Sequence, residues 1–150
     1  LVIQTLSKSR SLAGLRVGIA MGTDELIEGL NRIKNSFNSY TLDRLAIAGA
    51  IAAYKDKEYF EKTRKKVIET REKTMKELRK LGFTMPDSMA NFIFVSHPKV
   101  NAEEIFLALR ERGILVRYFK KPRISNYLRI SIGTDEEMEI LINNLKEIIK

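Results

Sequence analysis

The chain has 150 residues, about one ordinary domain by length, and its 44% hydrophobic content is enough for a buried core. It has no cysteine, which excludes disulfides and thiolate metal sites and fits a reducing compartment. Lysine and arginine outnumber aspartate and glutamate 27 to 19, a net charge of +8, yet much of that basic charge lies in residues 55–80 among six acids, the pattern of a solvated helix face, so nucleic-acid binding is not expected.

Residues 1–5 form a short apolar run, predicted to be a strand, and 7–14 a loop. Residues 15–21, punctuated by Gly18 and Gly22, read as a second strand. Asp24 is placed to cap a helix over 25–36, with Leu26, Leu30 and Ile33 on one face. An Asn- and Ser-rich loop, 37–40, leads to an Ala- and Ile-rich segment, 43–54, predicted to be a buried helix. A long charged helix is predicted from Asp56 to about Leu81, with an inner stripe of Phe60, Val67, Met75, Leu78 and Leu81 and a stop at Gly82. Strands at 91–96, 114–118 and 127–132, a helix over 102–112 stopped by Gly113, and an amphipathic helix over 135–149 complete the chain. No apolar run reaches the roughly eighteen residues of a membrane-spanning helix. Residues 1–4, Leu-Val-Ile-Gln, lack the basic and apolar regions of a signal peptide.

The chemistry concentrates in residues 5–18, TLSKSRSLAGLRVG. A lysine that forms a Schiff base needs its amine held beside a carbonyl cofactor and partly desolvated. Lys8 lies among the small residues Ser7, Ser9, Ser11, Ala13 and Gly14, which let a flat ring and a phosphate approach the backbone. Arg16, eight positions on, is suited to grip a phosphate with two parallel hydrogen bonds. The segment closely resembles the cofactor-lysine motif of the fold-type I pyridoxal-phosphate-dependent aminotransferases, in the branch that contains histidinol-phosphate aminotransferase. That resemblance implies that Lys8 binds pyridoxal 5'-phosphate covalently and moves the catalytic proton. It also implies that Thr5, Ser7 and Arg16 contact the cofactor phosphate.

Two further strings extend the resemblance. YLRISIG, residues 127–133, is similar to the family's substrate-anion motif, which makes Arg129 the expected clamp for a substrate phosphate or carboxylate. GILVRYF, residues 113–119, places Arg117 twelve positions earlier, where the same branch carries a second phosphate-binding arginine. Two guanidiniums suit a dianionic phosphate better than a single carboxylate. Residues 91–95, NFIFV, resemble the strand that opens the family's small domain and read as structural. Tyr40 reads as core or interface. His97, the only histidine, reads as a surface turn residue, and no metal site is expected.

The resemblance implies an α/β fold: a fragment of a fold-type I transferase, with residues 1–42 from the cofactor-binding large domain, 43–82 as bridging helices and 83–150 as an α+β small C-terminal domain. The expected substrates are L-histidinol phosphate and 2-oxoglutarate, with glutamate as co-product, in a cytoplasmic homodimer that binds neither nucleic acid nor membrane. The competing expectations are an aromatic or broad-specificity aminotransferase, a threonine-phosphate decarboxylase, and a non-catalytic binding module. In the family the remaining pocket residues lie upstream, so the 150 residues alone are expected to be inactive and their Leu1–Gly22 strand edges exposed.

Overall fold

The computed structural model describes all 150 residues, Leu1–Lys150. They form two compact units, Leu1–Arg64 and Lys65–Lys150.

In the first unit, strand β1 (Val2–Thr5) pairs antiparallel with β2 (Gly18–Met21), from Val2 opposite Met21 to Thr5 opposite Gly18. The predicted second strand is shorter than expected, because Ala13–Leu15 wind into a 3-10 turn that buries Leu12 and Leu15 partly against Leu6, Val17 and Ala46. Helix α1 (Asp24–Phe37) has Thr23 at its N-cap position, without a side-chain capping hydrogen bond, and Asp24 inside its first turn, where its charge favours the helix dipole. Helix α2 (Arg44–Lys55) begins at Asp43, whose carboxylate accepts from the Ala46 N–H. The expected buried helix is a mostly exposed one: Ala46 is its only buried residue, and Leu45 is 80% exposed. Alanine and isoleucine bury a helix only where another layer covers it, and in this unit only the turn around Ala46 is covered. The apolar face of α1, Leu26, Leu30, Ile33 and Phe37, is likewise exposed, as are Val2 and Ile3 on β1 and Tyr40 after α1.

Helix α3 (Lys57–Lys80) starts where the Asp56 carboxylate accepts from the Tyr59 N–H and runs across the division between the units. Its buried positions are Thr70, Arg71, Thr74, Met75 and Leu78, so the inner stripe is real only in its second half. Gly82, at φ +86°, ends it as expected.

The second unit holds the main core. Strand β5 (Leu128–Ser131) sits between β3 (Phe92–Val95) and the two-residue edge strand β4 (Arg117–Tyr118), all antiparallel. Strand alternation sends Ile93, Val95, Leu128 and Ile130 inward. There they meet Met75 and Leu78 of α3, Ile105 and Leu109 of α4 (Ala102–Glu111), and Met138, Leu141 and Leu145 of α5 (Asp135–Ile148). Gly113, at φ +77°, follows α4, and a reciprocal Thr134–Glu137 capping box starts α5. His97 is buried, not a surface turn residue. Its ring packs edge-on to Phe83 at 5.0 Å, and Nδ1 accepts from the Val100 N–H at 3.2 Å.

Candidate functional site

The candidate residues fall into two clusters, one in each unit. The first is the loop between β1 and β2. The Thr5 hydroxyl donates to Ser7 Oγ at 2.8 Å and accepts from the Ser7 N–H at 3.1 Å, which folds the chain tightly just before Lys8. The Lys8 carbonyl accepts from the Ser11 N–H at 3.1 Å, closing a turn over the lysine. The Lys8 ammonium is exposed and makes no ion pair. Arg16 caps the 3-10 turn in a left-handed conformation, φ +55°, and its Nη1 donates to the Ala13 carbonyl at 3.0 Å. Ser11 is also left-handed, at φ +57°. Such conformations cost non-glycine residues about 1–2 kcal/mol, and they concentrate where a side chain must be aimed.

The donor set fits a phosphate-bearing group. The Arg16 guanidinium has five N–H donors, and the Ala13 carbonyl takes one. Two hydroxyls stand beside the lysine, and nothing lies within 4 Å of a side-chain carbon built on Gly14. An amine, a guanidinium, hydroxyls and open backbone suit a carbonyl compound that carries a phosphate.

Arg10 was missed in the sequence, and it ties this loop to the helices. Its Nη1 donates to the Ala53 carbonyl at 2.7 Å and the Asp56 carbonyl at 3.3 Å, at the C-terminal end of α2. The guanidinium lies over the Phe60 ring at 3.7 Å and the Tyr54 ring at 5.1 Å. No sequence signal marks it, because its partners lie more than forty residues away.

The second cluster lies on the outer face of the three-stranded sheet. The register sets Phe94 opposite Arg129 and Arg129 opposite Arg117, so the three form one row across β3, β5 and β4. Neither guanidinium makes a hydrogen bond or ion pair. Both lie near aromatic rings: Arg117 is 5.4 Å from Phe119, and Arg129 is 6.0 Å from Phe119 and 5.5 Å from Phe92. Phe94 stacks on Tyr127 at 4.6 Å and meets Phe119 edge-on at 6.4 Å. Like charges directly opposed across strands are unfavourable by roughly 0.2–1 kcal/mol, so an anion between them would meet two unsatisfied cations on a rigid aromatic bed.

Elsewhere, Lys66 and Thr70 donate to the Asp135 carboxylate, holding its pKa below the ordinary carboxylate value. No group of three or more histidine or acidic side chains is placed to hold a metal ion, and no helix is long and apolar enough to cross a membrane.

A family model described as aminotransferase class I and II matches residues 1–145. A histidinol-phosphate aminotransferase from Clostridium acetobutylicum is 65% identical over 149 residues, which are 99% of this chain and 42% of that protein. The crystal structure of histidinol-phosphate aminotransferase from Sinorhizobium meliloti, in complex with pyridoxal-5'-phosphate, matches with a TM-score of 0.84 at 29% identity, over 98% of this chain and 40% of that one. A decarboxylase from Sulfurospirillum multivorans matches with a TM-score of 0.77 at 27% identity, over 99% of this chain and 43% of that one. The chain thus spans about 42% of the length of the curated relatives it matches.

Proposed function

This chain belongs to the class I and II aminotransferase family, and from that premise we propose that it supplies the lysine loop and the anion clamp of a pyridoxal-phosphate-dependent aminotransferase acting on L-histidinol phosphate and 2-oxoglutarate. In this reading residues 1–42 carry the cofactor lysine, 43–82 bridge, and 83–150 form the small domain of a longer, cytoplasmic, homodimeric enzyme. The other pocket groups then come from outside the 150 residues, which alone would be inactive.

Pyridoxal phosphate, when bound, supplies the electron sink that makes the substrate α-proton removable. Lys8 would hold the cofactor covalently through Nζ. When free as a neutral amine, Lys8 Nζ would act as the base that takes the substrate α-proton and as the acid that gives it back two atoms away. Arg16, steadied on the Ala13 carbonyl, would hold the cofactor phosphate together with the Thr5 and Ser7 hydroxyls. Arg129 would clamp the anionic end of either substrate, and Arg117 would add to it when that end is a phosphate.

The observation that carries the substrate assignment is the Arg117–Arg129 pair, in register and without a counter-charge. Half-reaction rate constants of the full-length enzyme with histidinol phosphate and with phenylalanine test it. A preference for phenylalanine would move the reading to an aromatic aminotransferase. The likeness to a decarboxylase favours a second reading, decarboxylation of a phosphorylated amino acid. Release of carbon dioxide instead of glutamate formation would select it.

A further inference from the structure

We infer that Arg10 is the positioning residue for Lys8: it clamps the lysine loop to the C-terminal end of α2, so that the direction of the lysine amine is set from outside the cofactor contacts. This rests on the assignment of Lys8 as the cofactor lysine.

The geometry is that of a two-sided anchor. The last carbonyls of a helix lack intrahelical partners and carry the negative end of its dipole. The chain breaks helical geometry at Asp56, with ψ +79°, which leaves the Ala53 and Asp56 carbonyls available, and one arginine nitrogen bridges both. The guanidinium carbon also lies over the Phe60 ring, 3.7 Å from its centre, a contact that holds the guanidinium against α3. Arg10 is part-buried, whereas Lys8, two residues earlier, is exposed and unpaired. The loop around them is closed by two backbone hydrogen bonds, the Ser11 N–H on the Lys8 carbonyl and the Leu12 N–H on the Leu6 carbonyl. Releasing Arg10 frees the distal half of that loop, and the amine then samples directions that the cofactor must reorder on binding. Lysine at position 10 would keep the charge and three donors on one nitrogen but lose the flat guanidinium face over Phe60.

The test uses Arg10→Met, Arg10→Lys and Phe60→Leu. In the chain itself, hydrogen exchange at the Ser11 and Leu12 amides should quicken by about tenfold or more in Arg10→Met, with the β1–β2 ladder amides unchanged. In the full-length enzyme, Arg10→Met should bind pyridoxal phosphate about tenfold more weakly. It should also shift the pH midpoint of the cofactor's visible absorption, which reports the proton at Lys8 Nζ. Arg10→Lys should restore part of both effects. Phe60→Leu, which leaves the loop sequence intact, should act in the same direction and serves if Arg10→Met does not fold. Arg16→Ala should weaken the cofactor without moving the midpoint. Unchanged Ser11 and Leu12 exchange, or an unmoved midpoint in both Arg10→Met and Phe60→Leu, would overturn the role. Borohydride reduction of the wild type that places the cofactor on a lysine other than Lys8 would instead overturn the cofactor assignment, and this inference with it.

Discussion

Replacing Arg117 with alanine in the full-length enzyme separates a functional cation from a structural one. Arg117 faces Arg129 in register, is exposed, and has no ion-pair partner. A charge-assisted hydrogen bond to a phosphate oxygen is worth about 1.5–3 kcal/mol, and exposure of both guanidiniums discounts the contact to about 1–2 kcal/mol. That is about five- to thirtyfold in kcat/KM for histidinol phosphate. In the proposed reading Arg129 would hold the glutamate carboxylate without Arg117, so glutamate should lose less than about threefold. The folded state should barely notice. Removing one of two opposed cations gains about 0.2–1 kcal/mol. Losing the Arg117 contact with Phe119 at 5.4 Å returns about 0.5–1 kcal/mol. The melting midpoint should therefore move by no more than about 4 °C. Single-turnover half-reactions with each substrate, run beside a thermal melt, measure all three quantities. Equal losses for the two substrates would refute the phosphate role. A melting midpoint that falls by much more would instead make Arg117 a structural residue.

Lys8→Ala should retain weak cofactor binding and lose turnover by several orders of magnitude, measured by steady-state rates. Borohydride reduction and peptide mapping of the wild type should find the cofactor on Lys8. Arg16→Ala should weaken cofactor binding by about ten- to a hundredfold, read by equilibrium dialysis, since it deletes a charge-assisted contact of roughly 1.5–3 kcal/mol. Asp135 is stabilised in its charged form by Lys66 and Thr70, so its contribution is present above the ordinary carboxylate value of 3.8 and disappears as pH falls through its lower folded value. Asp135→Asn should flatten acid unfolding of Lys65–Lys150 in that range, followed by circular dichroism; an unchanged acid profile would contradict the assignment. Leu109→Ala, at a fully buried position, should cost about 2–5 kcal/mol in denaturant unfolding and leave the Arg117–Arg129 row in place.

The second unit was legible because its signals are local. Gly82 and Gly113 stop helices through positive φ, and alternation in LRIS assigns inner and outer faces without any knowledge of the partners, whereas FIFV is apolar at every position and shows its inner face only in the structure. Where the outcome depended on distant partners, the sequence misled. Residues 114–116 look like strand but lie outside the two-residue β4 ladder, and the apolar content of α2 predicted a burial that its surroundings do not provide. His97 looked like a turn residue because its preceding-proline position is local, whereas Phe83, which covers it, lies fourteen residues back. The two C-terminal arginines were visible as separate strings. That they face each other is a matter of register, fixed by how β4 and β5 pair. Arg10 left no trace, because its partners are backbone carbonyls and an aromatic ring on distant helices.

The left-handed backbone at Ser11 and Arg16 sets robustness and chemistry against each other. Glycine at either position would relieve strain of about 1–2 kcal/mol, so selection for heat tolerance alone would favour it. At position 16 the same exchange deletes the only guanidinium in the loop that is not already committed to a helix. A lineage or a laboratory library ranked by melting point would therefore drift toward a sturdier loop without the guanidinium proposed to hold the cofactor phosphate. Persistence of arginine there under such ranking would signal that binding, and not folding, keeps it.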